Sequence, residues 1–175
     1  MKIILMMVSS LNGKITNGDD PNIYQWTSKE DNKQFFSHIK KHKLIVMGGK
    51  TYESSRDKIH LTKHTLRIVL TRNPKHYVND TVKGQLEFTN ETPTSLVKRL
   101  EQKGYNEMLL VGGSEINSLF FKSRHIDELH LTVEPKLFGT GKNLINESEL
   151  NVNLQLIDIQ KLNTRGTLHC VYKVL

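Results

Sequence analysis

The chain has 175 residues, enough for one domain with a sizeable core, and its 37% hydrophobic and 25% charged residues exclude a disordered polymer. Its longest apolar run, Ile3 to Val8, is far short of the ~20 residues of a membrane span, and Lys2 ahead of so short a run makes a poor signal peptide. One cysteine, Cys170, excludes an intramolecular disulfide and a multi-cysteine metal site, so a cytoplasmic, soluble, single domain over 1–175 is expected.

The formal charge of +7 is local. Between Lys29 and Lys75 twelve Lys/Arg face four Asp/Glu, whereas the rest of the chain has thirteen against fourteen. A basic field of this kind suits an anionic partner: a phosphate-bearing cofactor, a phosphorylated substrate or nucleic acid. Lys40, Lys41 and Lys43 also read as a solvated helix face. Aromatics at 7%, with no reader module, argue against nucleic acid.

Taken in chain order, the first apolar stretch predicts a strand at about 2–8, followed by a helix at about 28–41 that carries Glu30 and Asp31 in its first turn. A strand at about 43–47 runs into Gly48-Gly49 and a helix at about 51–57. Strands at about 67–71 and 85–89 follow, then a helix at about 93–103 opened by Thr92-Pro93 and closed by Gly104. A strand at about 107–111 leads through Gly112-Gly113 into a helix at about 115–122. The strand at about 127–134 stops at Pro135. Two alternating runs, about 154–161 and 168–174, flank Asn163 to Gly166 and form a C-terminal hairpin. The fold class is α/β: a mixed, mainly parallel sheet of about eight strands with helices on both faces.

Leu44 to Thr51 and Leu109 to Glu115 echo each other as apolar strand, Gly-Gly, helix. Glycine lets a ligand approach the backbone, and the following helix offers unsatisfied N–H groups, so each turn can hold phosphate. Each can equally be a plain strand-to-helix turn. Arg72 can pair with a phosphate or sit exposed before Asn73-Pro74. Asp31 can act as a cleft acid or simply favour a helix start. Trp26 and Phe35 can flank a ligand or belong to the core, and Thr132 can line a pocket or serve as a β-former. Ser114 reads as an N-cap. His38 and His42, at helical i, i+4 spacing among lysines, read as solvated rather than as metal ligands, and no metal site is expected.

In order, Met7 to Ile15, the set Trp26, Asp31 and Phe35, Ile45 to Ser54, Ile68 to Asn73 and Val111 to Ile116 resemble the dihydrofolate reductase-like superfamily. Ser10-Leu-Asn-Gly-Lys-Ile15 and Val133-Glu-Pro-Lys-Leu-Phe-Gly-Thr-Gly141 resemble more closely the reductase domain of riboflavin biosynthesis and its stand-alone relatives. Asn12 stands where those domains usually have an aspartate, and Gly49 where folate reductases usually have an arginine. The resemblance implies an NADPH-dependent reductase acting on a phosphoribosylamino-pyrimidine. Alternatives are a dihydrofolate or pterin reductase, or a non-catalytic nucleotide-binding relative. It implies Asn12 and Asp31 as catalytic residues. Gly48, Gly49, Lys50, Thr51, Thr71, Arg72, Val111, Gly112, Gly113, Ser114, Glu115 and Ile116 would meet the cofactor, and Ser10, Lys14, Trp26, Phe35 and Thr132 the substrate. The family often dimerises, which leaves a homodimer open. The folate enzymes' carboxylate-gripping arginine would fall at about Thr65; Arg67 is expected to be turned away by strand alternation, so folate binding should be weak.

Overall fold

The computed structural model describes residues 1–147 and 149–175. The apolar opening run forms β1 (Lys2–Ser10), and its alternation already specifies a sheet covered on both faces. Ile3 and Leu5 enter one core cluster, whereas Ile4 and Met6 enter another on the opposite face. The strands β2 (Leu44–Gly48), β3 (Leu66–Leu70), β4 (Leu86–Thr89), β5 (Glu107–Leu110) and β6 (Glu128–Glu134) run parallel to β1. β7 (Leu154–Lys161) and β8 (Leu168–Val174) close the chain as an antiparallel hairpin, β8 lying against β6. The eight-stranded order is β4-β3-β2-β5-β1-β6-β8-β7. Insertion of β5 between β1 and β2 brings the carboxyl ends of β2 and β5 together, the edge where open α/β sheets hold ligands.

Helix α1 (Lys29–Lys41) starts at Ser28, whose Oγ accepts the Asp31 N–H at 3.2 Å. Phe35 and Ile39 on its inner side pack on the face that holds Ile45, Met47 and Leu109. The next helix is α2 (Gly49–Ser55), placed by sequence at 51–57; it starts two residues earlier because the glycine pair itself makes the turn. α3 (Pro93–Gln102) is capped by Thr92 with Pro93 in its first turn, as the sequence predicts. Together with α4 (Ser114–Lys122) it covers the other face: Leu96, Leu100 and Phe120 are fully buried there against Val46, Ile68 and Leu110. Burying side chains of this size stabilises the fold by ~1.5–3 kcal/mol each.

Two further details differ from expectation. The helix expected to reach residue 57 ends at Ser55 and passes into a 3₁₀ turn at Arg56–Lys58, and Pro74–Asp80 forms further 3₁₀ structure that no periodicity announced. All eight residues of β7 are exposed, including Leu156, Ile157 and Ile159. Among the described residues no helix is long and apolar enough to cross a membrane.

Candidate active site

The two Gly-Gly turns sit side by side. The Gly48 N–H donates to the Gly112 carbonyl at 2.8 Å, joining the ends of β2 and β5. α2 leaves from Gly48 as N-cap and α4 from Gly113, and neither cap is closed by a side chain. Both turns therefore present open helix N-termini. The missing side chains are structural requirements as well. A Cβ on Gly48 would stand 2.8 Å from Ile116 Cγ1, and one on Gly112, at φ 84°, would stand 2.7 Å from Met7 Sδ. A Cβ on Gly113 would meet only Thr51 Oγ1, at 3.3 Å. Packing therefore demands glycine at Gly48 and Gly112 far more than at Gly113, where a bound ligand is the better reason for it.

These turns border a cavity of about 960 Å³. Gly48, Gly49, Lys50, Thr51, Thr71, Arg72, Val111, Gly113, Ser114, Glu115 and Ile116 all line it, as do Asp31 and Phe35. Ser114 is the first residue of α4 rather than its cap, and its Oγ donates to Asn146 Oδ1 at 2.6 Å. Elsewhere on the wall Lys58 Nζ lies 3.6 Å from the centroid of the Tyr24 ring, a cation–π contact between two lining residues.

Asp31 is buried, and burial pushes its carboxyl up to about 6; the nearby Glu134 charge adds to the rise, and a hydrogen bond from Thr132 opposes it. Glu134 is itself held by the Ser28 N–H at 2.6 Å and the Thr167 hydroxyl at 2.8 Å. Thr132 also meets His169 Nδ1 at 3.3 Å. Burial pushes His169 down to about 4, with further lowering from His130 and His38. Behind it, His130 and His38 make edge contacts, and His38 stacks on His42. The expectation of a solvated His42 is incorrect: it is buried and its Nε2 lies 3.1 Å from Glu107 Oε1, while His38 is half-buried.

Other residues implied by resemblance lie outside the cavity lining. Ser10, Asn12, Lys14, Trp26, Gly112 and Thr132 are absent from its wall. Asn12 accepts from Ser10 Oγ at 2.8 Å and clamps Phe138 through both backbone groups, its Nδ2 donating to the carbonyl at 2.7 Å and its Oδ1 accepting the N–H at 3.2 Å. Lys14 Nζ donates to Asn143 Oδ1 at 2.7 Å. Asn12 and Lys14 thus tie the loop after β1 to the segment after β6. Trp26 is buried edge-on against Phe138, with centroids 5.2 Å apart. Thr132 touches the site through Asp31 alone among the expected residues.

Sequence reasoning misplaced Arg67. It is not turned away from the cavity: it lines the wall while only 7% exposed. Residues 65, 67 and 69 share one face of a strand, so alternation places Arg67 with Thr65, not opposite it. Asn32, Ile39 and Asn146 also line the wall; Ile39 was legible, standing two turns of α1 beyond Asp31.

Among known proteins, the family model of the RibD C-terminal domain matches residues 1–168. The uncharacterized protein YwjB of Bacillus subtilis is 25% identical over 175 residues, covering 97% of each chain. A pyrimidine reductase-like protein from Corynebacterium diphtheriae superposes with a TM-score of 0.81 at 13% identity, covering 99% of this chain and 92% of the other. A diaminohydroxyphosphoribosylaminopyrimidine deaminase/5-amino-6-(5-phosphoribosylamino)uracil reductase from Thermotoga maritima has a TM-score of 0.74 at 15% identity. There the match covers 99% of this chain but 56% of the longer protein. At these identities the structural likeness establishes the fold, including the mixed sheet and antiparallel C-terminal hairpin.

Proposed function

The chain belongs to the RibD C-terminal domain family, and from that premise we propose that it is an NADPH-dependent reductase of the riboflavin-pathway type, acting on a phosphorylated pyrimidine-type substrate. The observation that carries this reading is the meeting of the two Gly-Gly turns, joined from Gly48 to Gly112, beside a cavity that also holds a buried carboxyl. The residues fit a dinucleotide phosphate: Gly113 leaves room for close approach, α4 supplies open N–H groups, and exposed Arg72 and Lys50 lie on the same wall. NADPH would supply the hydride when bound. The protein's own part is to orient, to exclude water and to hold a proton. Asp31, poised near neutrality, can hold a proton at its carboxyl for a substrate nitrogen or oxygen and is kept in place by Thr132. Phe35 and Ile39 give the cavity an apolar wall that keeps water from a bound ring. Asn12 acts in this reading as a positioning residue, since its amide is committed to Phe138.

The test is an NADPH-oxidation assay with the deaminated riboflavin precursor and dihydrofolate in parallel. Turnover of the precursor supports the proposal. Turnover of dihydrofolate alone selects the folate-type alternative, which Arg67 in the cavity favours. Turnover of neither, with NADPH still bound, selects a non-catalytic relative.

A further inference from the structure

Four imidazoles form an unbroken row beneath α1, and none of them lines the cavity. His42 stacks on His38 with ring centroids 5.8 Å apart, His38 meets His130 edge-on at 5.4 Å, and His130 meets His169 edge-on at 5.8 Å. The row crosses the interface that docks the helix. His38 sits in α1 and His42 caps its C-terminus, whereas His130 stands in β6 and His169 in β8. His42, His130 and His169 are buried and His38 is half-buried. Nδ1 of His38 and Nδ1 of His130 are cut off from solvent with no hydrogen-bond partner among the described residues. Apolar rings would serve packing without buried nitrogens left unmatched, so packing alone does not account for the row.

The charges around the row are unevenly placed. A proton on His42 is matched, because Nδ1 donates to the His38 carbonyl at 2.7 Å and Nε2 faces Glu107 Oε1 at 3.1 Å. A proton on His130 is matched by Glu128 Oε2 at 3.2 Å, although Lys2 holds the other oxygen at 2.8 Å. Among the described residues His38 and His169 have no carboxylate at ion-pair distance. Burial first, then the neighbouring rings, lowers both of them; Lys41 adds to this at His38, against weak attraction from Glu107 there and from Asp158 of β7 at His169. Docking is thus favoured while these two rings are neutral and is lost as pH falls from 6.5 toward about 4. The other charged groups where α1 meets β6 are Asp31 and Glu134, the latter held by Ser28 and Thr167. Asp31 acts in the opposite sense, since a proton relieves its burial. Acid therefore sets like charges on His38 and His130, 5.4 Å apart on opposite sides of the interface.

We propose that the row His42, His38, His130, His169 is a pH-sensitive clasp that docks α1 on β6 and β8 while its unmatched rings are neutral and releases the helix locally in acid. α1 carries Asp31, Phe35 and Ile39 of the cavity wall, so release opens that wall while the sheet stays folded. The clasp is independent of the reductase reading. Amide hydrogen exchange of the full chain at pH 7.5 and pH 4.5, expressed as protection factors, tests it. Amides of α1 should lose about tenfold or more in protection at pH 4.5, whereas those of β1, β2 and β5 stay within about threefold. His38→Gln removes the ring that carries the row across the interface and should hold the α1 loss to about threefold or less. Should His38→Gln not fold, His130→Gln cuts the same contact and is judged by the same criterion. Unchanged α1 protection in the wild type, equal losses in α1 and the strands, or a variant that loses as much as the wild type overturns the proposal.

Discussion

Replacing Asp31 with asparagine should make the protein more stable while disabling it. Burial raises this carboxyl from 3.8 to about 6, which corresponds to ~3 kcal/mol. The sign follows from proton binding. Below pH ~4 the carboxyl is protonated in both folded and unfolded chains and carries no penalty. Between pH ~4 and 6 the unfolded chain loses its proton while the folded one keeps it, so stability falls as pH rises; above 6 the full penalty is present. The substituted amide cannot ionise, and it can still meet Thr132. Urea denaturation of both proteins from pH 4 to 8 should therefore show the variant up to ~3 kcal/mol more stable at pH 8, with the curves converging near pH 4.

The wild-type curve alone would hide this. His169, lowered from 6.5 to about 4 chiefly by burial, acts in the opposite sense. Its stabilising contribution is full above pH 6.5 and is lost as pH falls toward 4; solvent screening keeps it below ~3 kcal/mol. The two groups therefore offset each other in the wild type, whereas in Asp31→Asn the histidine effect appears unopposed as acid destabilisation. A difference between the proteins that does not change with pH, or a variant less stable at pH 8, would refute the claim that Asp31 is strained by burial. In the NADPH assay the same variant should lose about 10²–10⁴ in rate, the span of a general acid.

Three further outcomes are expected. Arg72→Ala should weaken NADPH by ~1.5–3 kcal/mol and leave NADH nearly unchanged, as fluorescence titration of both cofactors would show. Gly113→Ala should weaken NADPH binding with little change in melting temperature, since the new Cβ meets only Thr51 Oγ1, at 3.3 Å. β7 bares Leu156, Ile157 and Ile159 on an edge strand, a surface that a second copy of the chain can cover; light scattering should report a dimer and Ile157→Lys a shift toward monomer.

Elements set by local chemistry were readable from sequence. Pro93 after Thr92 fixed the start of α3, and the alternation of Ile3 to Met6 told of two covered faces. Both glycine turns were identifiable, but their meeting was not, because adjacency of β2 and β5 is a property of topology. Asn12 bonds a residue 126 positions away, a partner no local pattern announces. His38 and His42 carry the flanks of an exposed helix face, yet α1 lies over His130 and pulls them inward. Arg67 was legible and misread: two-residue spacing from Thr65 means the same side of the strand, not the opposite one.

Asp31 and Arg67 raise the question of why a small fold tolerates two poorly matched charges in one cavity. They do not relieve each other. Burial alone lowers the Arg67 guanidinium, and Asp31 answers to burial, Thr132 and Glu134, so neither charge offsets the burial of the other. α1 holds Asp31 by its Ser28 cap at one end, while Arg67 is fixed in β3 between Ile45 and Leu86, so neither backbone can close the distance. Moving either charge to solvent would restore stability, but only by unpacking the helix from Ile45, Met47 and Leu109. The arrangement is coherent if a ligand completes it, its oxyanion matching the guanidinium and its ring taking a hydrogen bond or proton from the carboxyl. A neutral compound would satisfy Asp31 and leave Arg67 unmatched, whereas a simple anion would do the reverse. Discrimination between substrates then resides in which of the two groups a ligand matches, each held by its own helix or strand.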